Sequence, residues 1–231
     1  MPYYLMGGDI SYVLLIVVST ILGLGTQAYI KRTYARWSQV DANTALTGAE
    51  VARNMLQAGG ASNVGIQSIA GELTDNFDPR TNVLNLSDAN RMGGSVASIA
   101  VACHEAGHAV QFAKGFIPMK IRSALVPVVQ FASGAWMYLF FAGIMFNLVG
   151  LMQLAIILFA ASVVFHLVTL PVEIDASRRA VKYISSGASG LDEMAEKGAK
   201  QVLTAAALTY VAAALVSILQ LVYLLSRSSR D

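Results

Sequence analysis

The sequence predicts a mainly α membrane protein with about four transmembrane helices and a small α+β body that contains an H-E-x-x-H helix. Three observations predict it. The 231 residues are 55% apolar and 13% charged, against about 25% charged in a soluble domain, and the mean hydropathy is +0.57. The apolar residues gather into uncharged runs long enough to cross a bilayer. The polar residues gather mostly in 31–122, where His104-Glu105-Ala106-Gly107-His108 lies. A net charge of +2 is too small to point to nucleic acid, and no block of like charge forms a tail. The single cysteine, Cys103, excludes an internal disulfide.

Residues 10–30 carry no charge, and a bilayer core needs about 20 apolar residues in a helix. Only Asp9 is charged upstream, whereas Lys31, Arg32 and Arg36 follow. A cleaved signal peptide has the opposite flanks, so this run is expected to be an anchor. The positive-inside rule places Met1 outside and Lys31 in the cytoplasm.

The polar segment opens with Thr47-Gly48-Ala49-Glu50, a capping box in which hydroxyl and carboxylate satisfy free N–H groups at a helix start. Val51, Met55 and Leu56 make its apolar stripe, and Gly59-Gly60 ends it. Val64, Ile66 and Ile69, then Val83, Leu84 and Leu86, flank the polar turn Asp75–Arg80. This predicts two short strands paired as a hairpin. A strand beside the H-E-x-x-H helix could hold an extended peptide by edge pairing, against the alternative of ordinary packing. Residues 87–94 read as a loop. From Ser95 to Phe112 small and apolar residues predict a buried helix, with Ser95 or Ser98 as its cap. Gly107 costs that helix about 1 kcal/mol relative to Ala, which is tolerable if another backbone must approach it closely.

Residues 123–170 contain no Asp, Glu, Lys or Arg. The run suits two spans, near 127–146 and 151–170, with a turn at Asn147 and Gly150. Lys114, Lys120 and Arg122 precede it and Arg178, Arg179 and Lys182 follow, so both ends face the cytoplasm. After a Gly/Ser loop at 185–191, residues 192–200 read as an amphipathic helix leading into a fourth span near 202–225. Arg227 and Arg230 then fall on the side the rule disfavours.

On a helix, residues four apart share a face, so His104 and His108 can aim two imidazoles at one metal ion beside Glu105. That is the two-histidine half of a catalytic zinc site, which takes three protein ligands and leaves a position open. Glu173 is the leading candidate for the third. It stands at the boundary of an uncharged span, where an acid is costly unless partnered, and the hairpin returns it to the membrane face of the pentad. Its alternative is pairing with Arg178 or Arg179. Asp175 is the runner-up ligand, or orients a histidine from behind. His166, seven residues before Glu173, could bind metal or stabilise an oxyanion, although a histidine within a span is more often bonded inside the bundle. Cys103 points to another helix face and reads as a small core residue.

The chain resembles the YugP-type neutral zinc metallopeptidases, bacterial membrane proteins, over nearly its whole length. The matching stretches are 46–53, 78–81, 101–111, 172–179 and 203–211. The resemblance implies Zn²⁺ as cofactor, peptidase activity and a bacterial cell membrane. A looser similarity is to gluzincin-type membrane peptidases, in which an E-x-x-x-D segment supplies the third ligand and a supporting Asp. Here Glu173 fits the ligand, but Ser177 stands where that Asp would be.

The expected organisation is an N-terminal transmembrane anchor at 1–30 and a metallopeptidase body at 31–122. A transmembrane hairpin at 123–182 ends in the third-ligand segment, and 183–231 holds the amphipathic helix and last span. The expected activity is hydrolysis of peptide bonds, with His104, His108 and Glu173 on zinc and Glu105 as general base. Arg178, Arg179 and His166 are the candidate oxyanion donors. The substrate would be a peptide or membrane protein, met at the lipid bilayer on the cytoplasmic side. The alternative is a non-catalytic membrane scaffold with a structural zinc, against which Glu105 argues, since a structural site has no use for a base. A metal transporter would need ligands at mid-span, where only His166 lies.

Overall fold

The computed structural model describes residues 10–228. Met1, Asp9 and Arg230, on which the expected sidedness partly rests, lie outside them. In chain order the elements are α1 (Ile10–Trp37), α2 (Gly48–Gly59), β1 (Gly65–Ile69), β2 (Asn76–Asp78), β3 (Val83–Ser87) and α3 (Asp88–Met92). Then come α4 (Val96–Ala113), α5 (Ile117–Met145), α6 (Val149–Tyr183), a π-helical turn (Ile184–Ala188) and α7 (Glu193–Ser228). The chain divides into two compact units. One takes the chain up to Thr26, Ile121–Leu170 and the chain from Tyr210; the other takes Gln27–Lys120 and Pro171–Thr209.

The first unit holds the apolar lengths of four helices. Helices α1, α5, α6 and α7 are each long and apolar enough to cross a membrane, the number expected. Their outward surface is apolar: Phe131 and Tyr138 are 71% and 76% exposed, as side chains that face lipid would be. Inside the unit, Ile156, Phe159, Val163 and Leu224 form a small core, with the Trp136 ring tilted 51° to that of Phe159 at 4.8 Å between centroids. Asn147 makes the turn between α5 and α6 in the left-handed conformation, φ 53°, which asparagine tolerates better than most residues.

In the second unit α2 starts and stops as its sequence dictates. Thr47 accepts from the Glu50 amide while the Glu50 side chain accepts from the Thr47 amide, and Gly60 closes the helix with φ 77°. Helix α4 is capped by the Ser95 side chain, which accepts from the Ser98 amide. Val51, Leu56, Ile99 and Ala106 are fully buried between these elements.

Two sequence expectations are corrected here. The strands around 64–86 number three, in the order β1-β3-β2. β1 runs parallel to β3, and the hairpin is β2–β3, antiparallel, with Phe77 opposite Leu84. The polar stretch read as one turn contains β2, and the true turn is 79–82, where Asn82 takes φ 56°. The segment read as a loop after Ser87 begins with the short helix α3. Its Asn90 is fully buried because it donates to Asp75 Oδ2 at 2.8 Å and accepts from Tyr34 Oη at 2.9 Å.

Helix α6 does not stop at Pro171 but runs through it to Tyr183. A proline inside a helix removes one hydrogen bond and bends the axis without always ending it. The π-helical turn and Gly190, φ 73°, then reverse the chain. Asp192 Oδ1 accepts from the Ala195 amide at 2.8 Å, and the expected amphipathic helix and last span form one helix, α7.

Candidate metal centre

His104 and His108 lie one turn apart on α4, and Glu173 comes from α6. The Glu173 Oε2 atom is 3.2 Å from His104 Nε2 and 3.5 Å from His108 Nε2. The two rings stand nearly perpendicular, at 84°, with centroids 4.7 Å apart. The three side chains are 12%, 6% and 2% exposed. Among the described residues they form a group of donors that could hold a metal ion.

What brings them together is small residues at the contact between α4 and α6. The Gly107 Cα faces the Ala176 backbone so closely that a Cβ would stand 2.7 Å from the Ala176 carbonyl oxygen. This is the close approach that a glycine inside the pentad predicts. Ala106, Ala109, Ala176 and Ala180 are fully buried around it.

The donor set fits zinc. With ligand bonds of about 2.0–2.1 Å in a tetrahedron, neighbouring ligand atoms lie about 3.3 Å apart, and the observed spacings bracket that value. Two imidazole nitrogens and a carboxylate are donors that suit zinc, and they leave one position of the tetrahedron open. The charge argument agrees. Burial pushes the Glu173 carboxyl up, but the imidazoles of His104 and His108 beside it outweigh this and hold it below the usual carboxylate range. A carboxylate that is 1% exposed is costly to bury without a cation beside it.

Behind the imidazoles lies a layer of polar partners. His108 Nδ1 is 3.1 Å from Gln111 Oε1. The Gln111 Nε2 donates to Val172 O at 2.8 Å and to Asp175 Oδ2 at 2.8 Å, and Asp175 Oδ2 also accepts from Arg179 Nε at 2.6 Å. His104 Nδ1 is 3.2 Å from Ser177 Oγ. The position at which the looser gluzincin similarity has an Asp therefore places a hydroxyl against a histidine.

The remaining sequence candidates are distributed as follows. Glu105 is half-buried on α4 beside His104. Asp175 stands one bond behind the group, through Gln111. Arg179 is engaged with Asp175 and lies 5.9 Å over the Phe116 ring. Arg178 is exposed and lines a surface groove with Lys182 and Lys200. His166 belongs to the first unit, its ring 6.2 Å from Phe165. Cys103 is fully buried and its thiol is pushed up to about 12 by desolvation, which fits a core residue. β2 is the edge strand packed beside α4, with Phe77 5.8 Å from Phe112.

Gln111 was not singled out from the sequence. Its signal was there: it follows His108 by three residues on the same face, a polar amide in an apolar helix.

The site now has relatives to set beside it. Over residues 12–229 the chain matches the family profile described as "Putative neutral zinc metallopeptidase". It is 43% identical over 213 residues to "Putative membrane protease YugP" of Bacillus subtilis (strain 168), covering 90% of this chain and 94% of that protein. No solved structure matches the chain. Because the match takes in the apolar helices together with the histidine helix and the Glu173 segment, the chain belongs as a whole to this family of neutral zinc metallopeptidases, and zinc is its cofactor.

Proposed function

We propose that the protein is a membrane-bound zinc endopeptidase whose site opens at the cytoplasmic side of a bacterial cell membrane. In this reading His104, His108 and Glu173 hold the metal and Glu105 is the general base. The observation that carries it is the buried Glu173 carboxylate set between two imidazole Nε2 atoms at 3.2 and 3.5 Å.

When bound, zinc supplies Lewis acidity, lowering the pKa of water from 15.7 toward about 7 and polarising a carbonyl. The chain's own residues do the rest. Glu105, adjacent to His104 in sequence, accepts the proton of the attacking water and hands it to the amine leaving group, so the carboxylate is regenerated. Gln111 and Ser177 hold the rings. Asp175 holds Gln111, and Arg179 holds Asp175.

Lys31, Arg32, Arg36, Lys114, Lys120, Arg178 and Lys182, which flank the apolar runs, support the cytoplasmic side. A site tied to the membrane favours membrane proteins or their peptides as substrates. The second reading, a scaffold with a structural zinc, calls for four protein ligands in a closed site. Three donors gather among the described residues, and this favours catalysis.

The test compares cleaved protein termini in cells carrying the wild type and cells carrying Glu105→Gln. The variant should bind zinc as the wild type does and lose hydrolysis by about 10²–10⁴-fold. Identical sets of termini, or wild-type turnover by the variant, would remove the peptidase mechanism.

A further inference from the structure

We propose that Gln111 is a positioning residue that fixes the tautomer of His108, and that Asp175 fixes Gln111. Gln111 is fully buried, so its amide can satisfy itself only with protein groups. On one side Nε2 lies 2.8 Å from Val172 O and 2.8 Å from Asp175 Oδ2. A backbone carbonyl can only accept. The Asp175 Oδ2 atom also accepts, because Arg179 Nε donates to it at 2.6 Å. Both amide protons of Gln111 are thereby used.

The amide orientation is decided by this. Turning the group over would set Oε1 against two acceptors and lose two hydrogen bonds. Oε1 must therefore face His108 Nδ1, at 3.1 Å. An amide oxygen only accepts, so Nδ1 carries the proton. In the neutral ring the lone pair is then on Nε2, the atom 3.5 Å from Glu173 Oε2. Two electron-pair donors face each other there, an arrangement satisfied by a cation between them.

His104 differs. Its Nδ1 meets Ser177 Oγ at 3.2 Å, and a hydroxyl both donates and accepts, so its tautomer is not dictated in this way. Of the two histidines, His108 is the preset one, and the preset depends on α6 through Val172 and Asp175. The use of the lone pair rests on the proposed zinc site; the tautomer itself does not.

The experiment uses the full chain in detergent micelles, ¹⁵N-labelled at its 3 histidines, metal-free and at a pH where the rings are neutral. The wild type should show His108 in the Nδ1–H form. In Gln111→Met, of similar length but without hydrogen bonds, that ring should populate both tautomers while His104 is unmoved. Zinc affinity, read by competition with a coloured chelator, should fall about 10–100-fold. Asp175→Ala, which removes one of the two acceptors that hold the amide, should shift both readouts the same way and carries the test if the methionine variant does not fold. A wild-type His108 in the Nε2–H form overturns the proposal, as do variants with unchanged tautomer and affinity. A wild type that shows the Nδ1–H form but binds no zinc would overturn the proposed function and leave the positioning role standing.

Discussion

Gly107 and Ala176 meet backbone to backbone: a Cβ on Gly107 would stand 2.7 Å from the Ala176 carbonyl oxygen and 3.2 Å from its Cα. Gly107 lies within the turn that joins His104 to His108, and Ala176 lies one turn after Glu173. The spacing of the three donors is thus set by a contact in which only hydrogen fits.

Gly107→Ala separates two effects of opposite sign. Helix propensity favours alanine by about 1 kcal/mol, whereas the contact forces α4 and α6 apart. Backbone cannot rotate out of the way as a side chain can, so the contact should win. The expected result is a lower melting temperature and zinc binding weakened at least tenfold. A melting temperature at or above wild type would show that α6 yields without cost.

Replacing Glu173 tests the assembly of the site at its third member. Glu173→Ala leaves the two imidazoles and removes the carboxylate grouped with them. Zinc content after dialysis should drop from stoichiometric to a minor fraction. Glu173→Gln keeps the shape and loses the charge, and it should fall between the two. Full zinc occupancy in Glu173→Ala would mean that the third ligand lies elsewhere.

Much of this was legible beforehand, for local reasons. Thr47, Glu50 and Gly60 mark α2 because helix ends need specific partners, and Ser95 marks α4 in the same way. His104 and His108 announce a shared face through their spacing alone. The parallel pairing of β1 with β3 was not legible, since it is decided by where the chain returns and not by the strands' own pattern. The continuation of α6 through Pro171 was hidden because a proline's local signal cannot be weighed against the packing that overrides it. Gln111 was hidden for a related reason: its partners Val172 and Asp175 are about sixty residues away.

Removing the metal should loosen the second unit. A chelator leaves the Glu173 carboxylate, 1% exposed, without the ion that would sit between it and the imidazoles. Zinc at about 100 times its dissociation constant stabilises a fold by about 2.7 kcal/mol. The melting temperature should therefore fall on chelation and recover with added zinc. Magnesium should not restore it, because it demands oxygen ligands in octahedral array. An unchanged melting curve after verified zinc removal would contradict a metal bound between α4 and α6.

Ser177 offers the last test, because it stands where the looser gluzincin resemblance has an aspartate. Its hydroxyl, 3.2 Å from His104 Nδ1, orients the ring without adding negative charge. A carboxylate in that place would raise the basicity of the imidazole and its hold on the metal. Ser177 is 9% exposed, at the edge of the surface groove that Arg178 and Lys200 line, so an aspartate has cations nearby to offset its burial. Zinc affinity should then rank Ser177→Asp above wild type and wild type above Ser177→Ala, with the alanine variant weaker by up to about tenfold. Chelator competition on the three proteins measures the order directly. If Ser177→Ala binds zinc as the wild type does, the contact with His104 Nδ1 does not support the ring, and the hydroxyl at this position has no part in the metal centre.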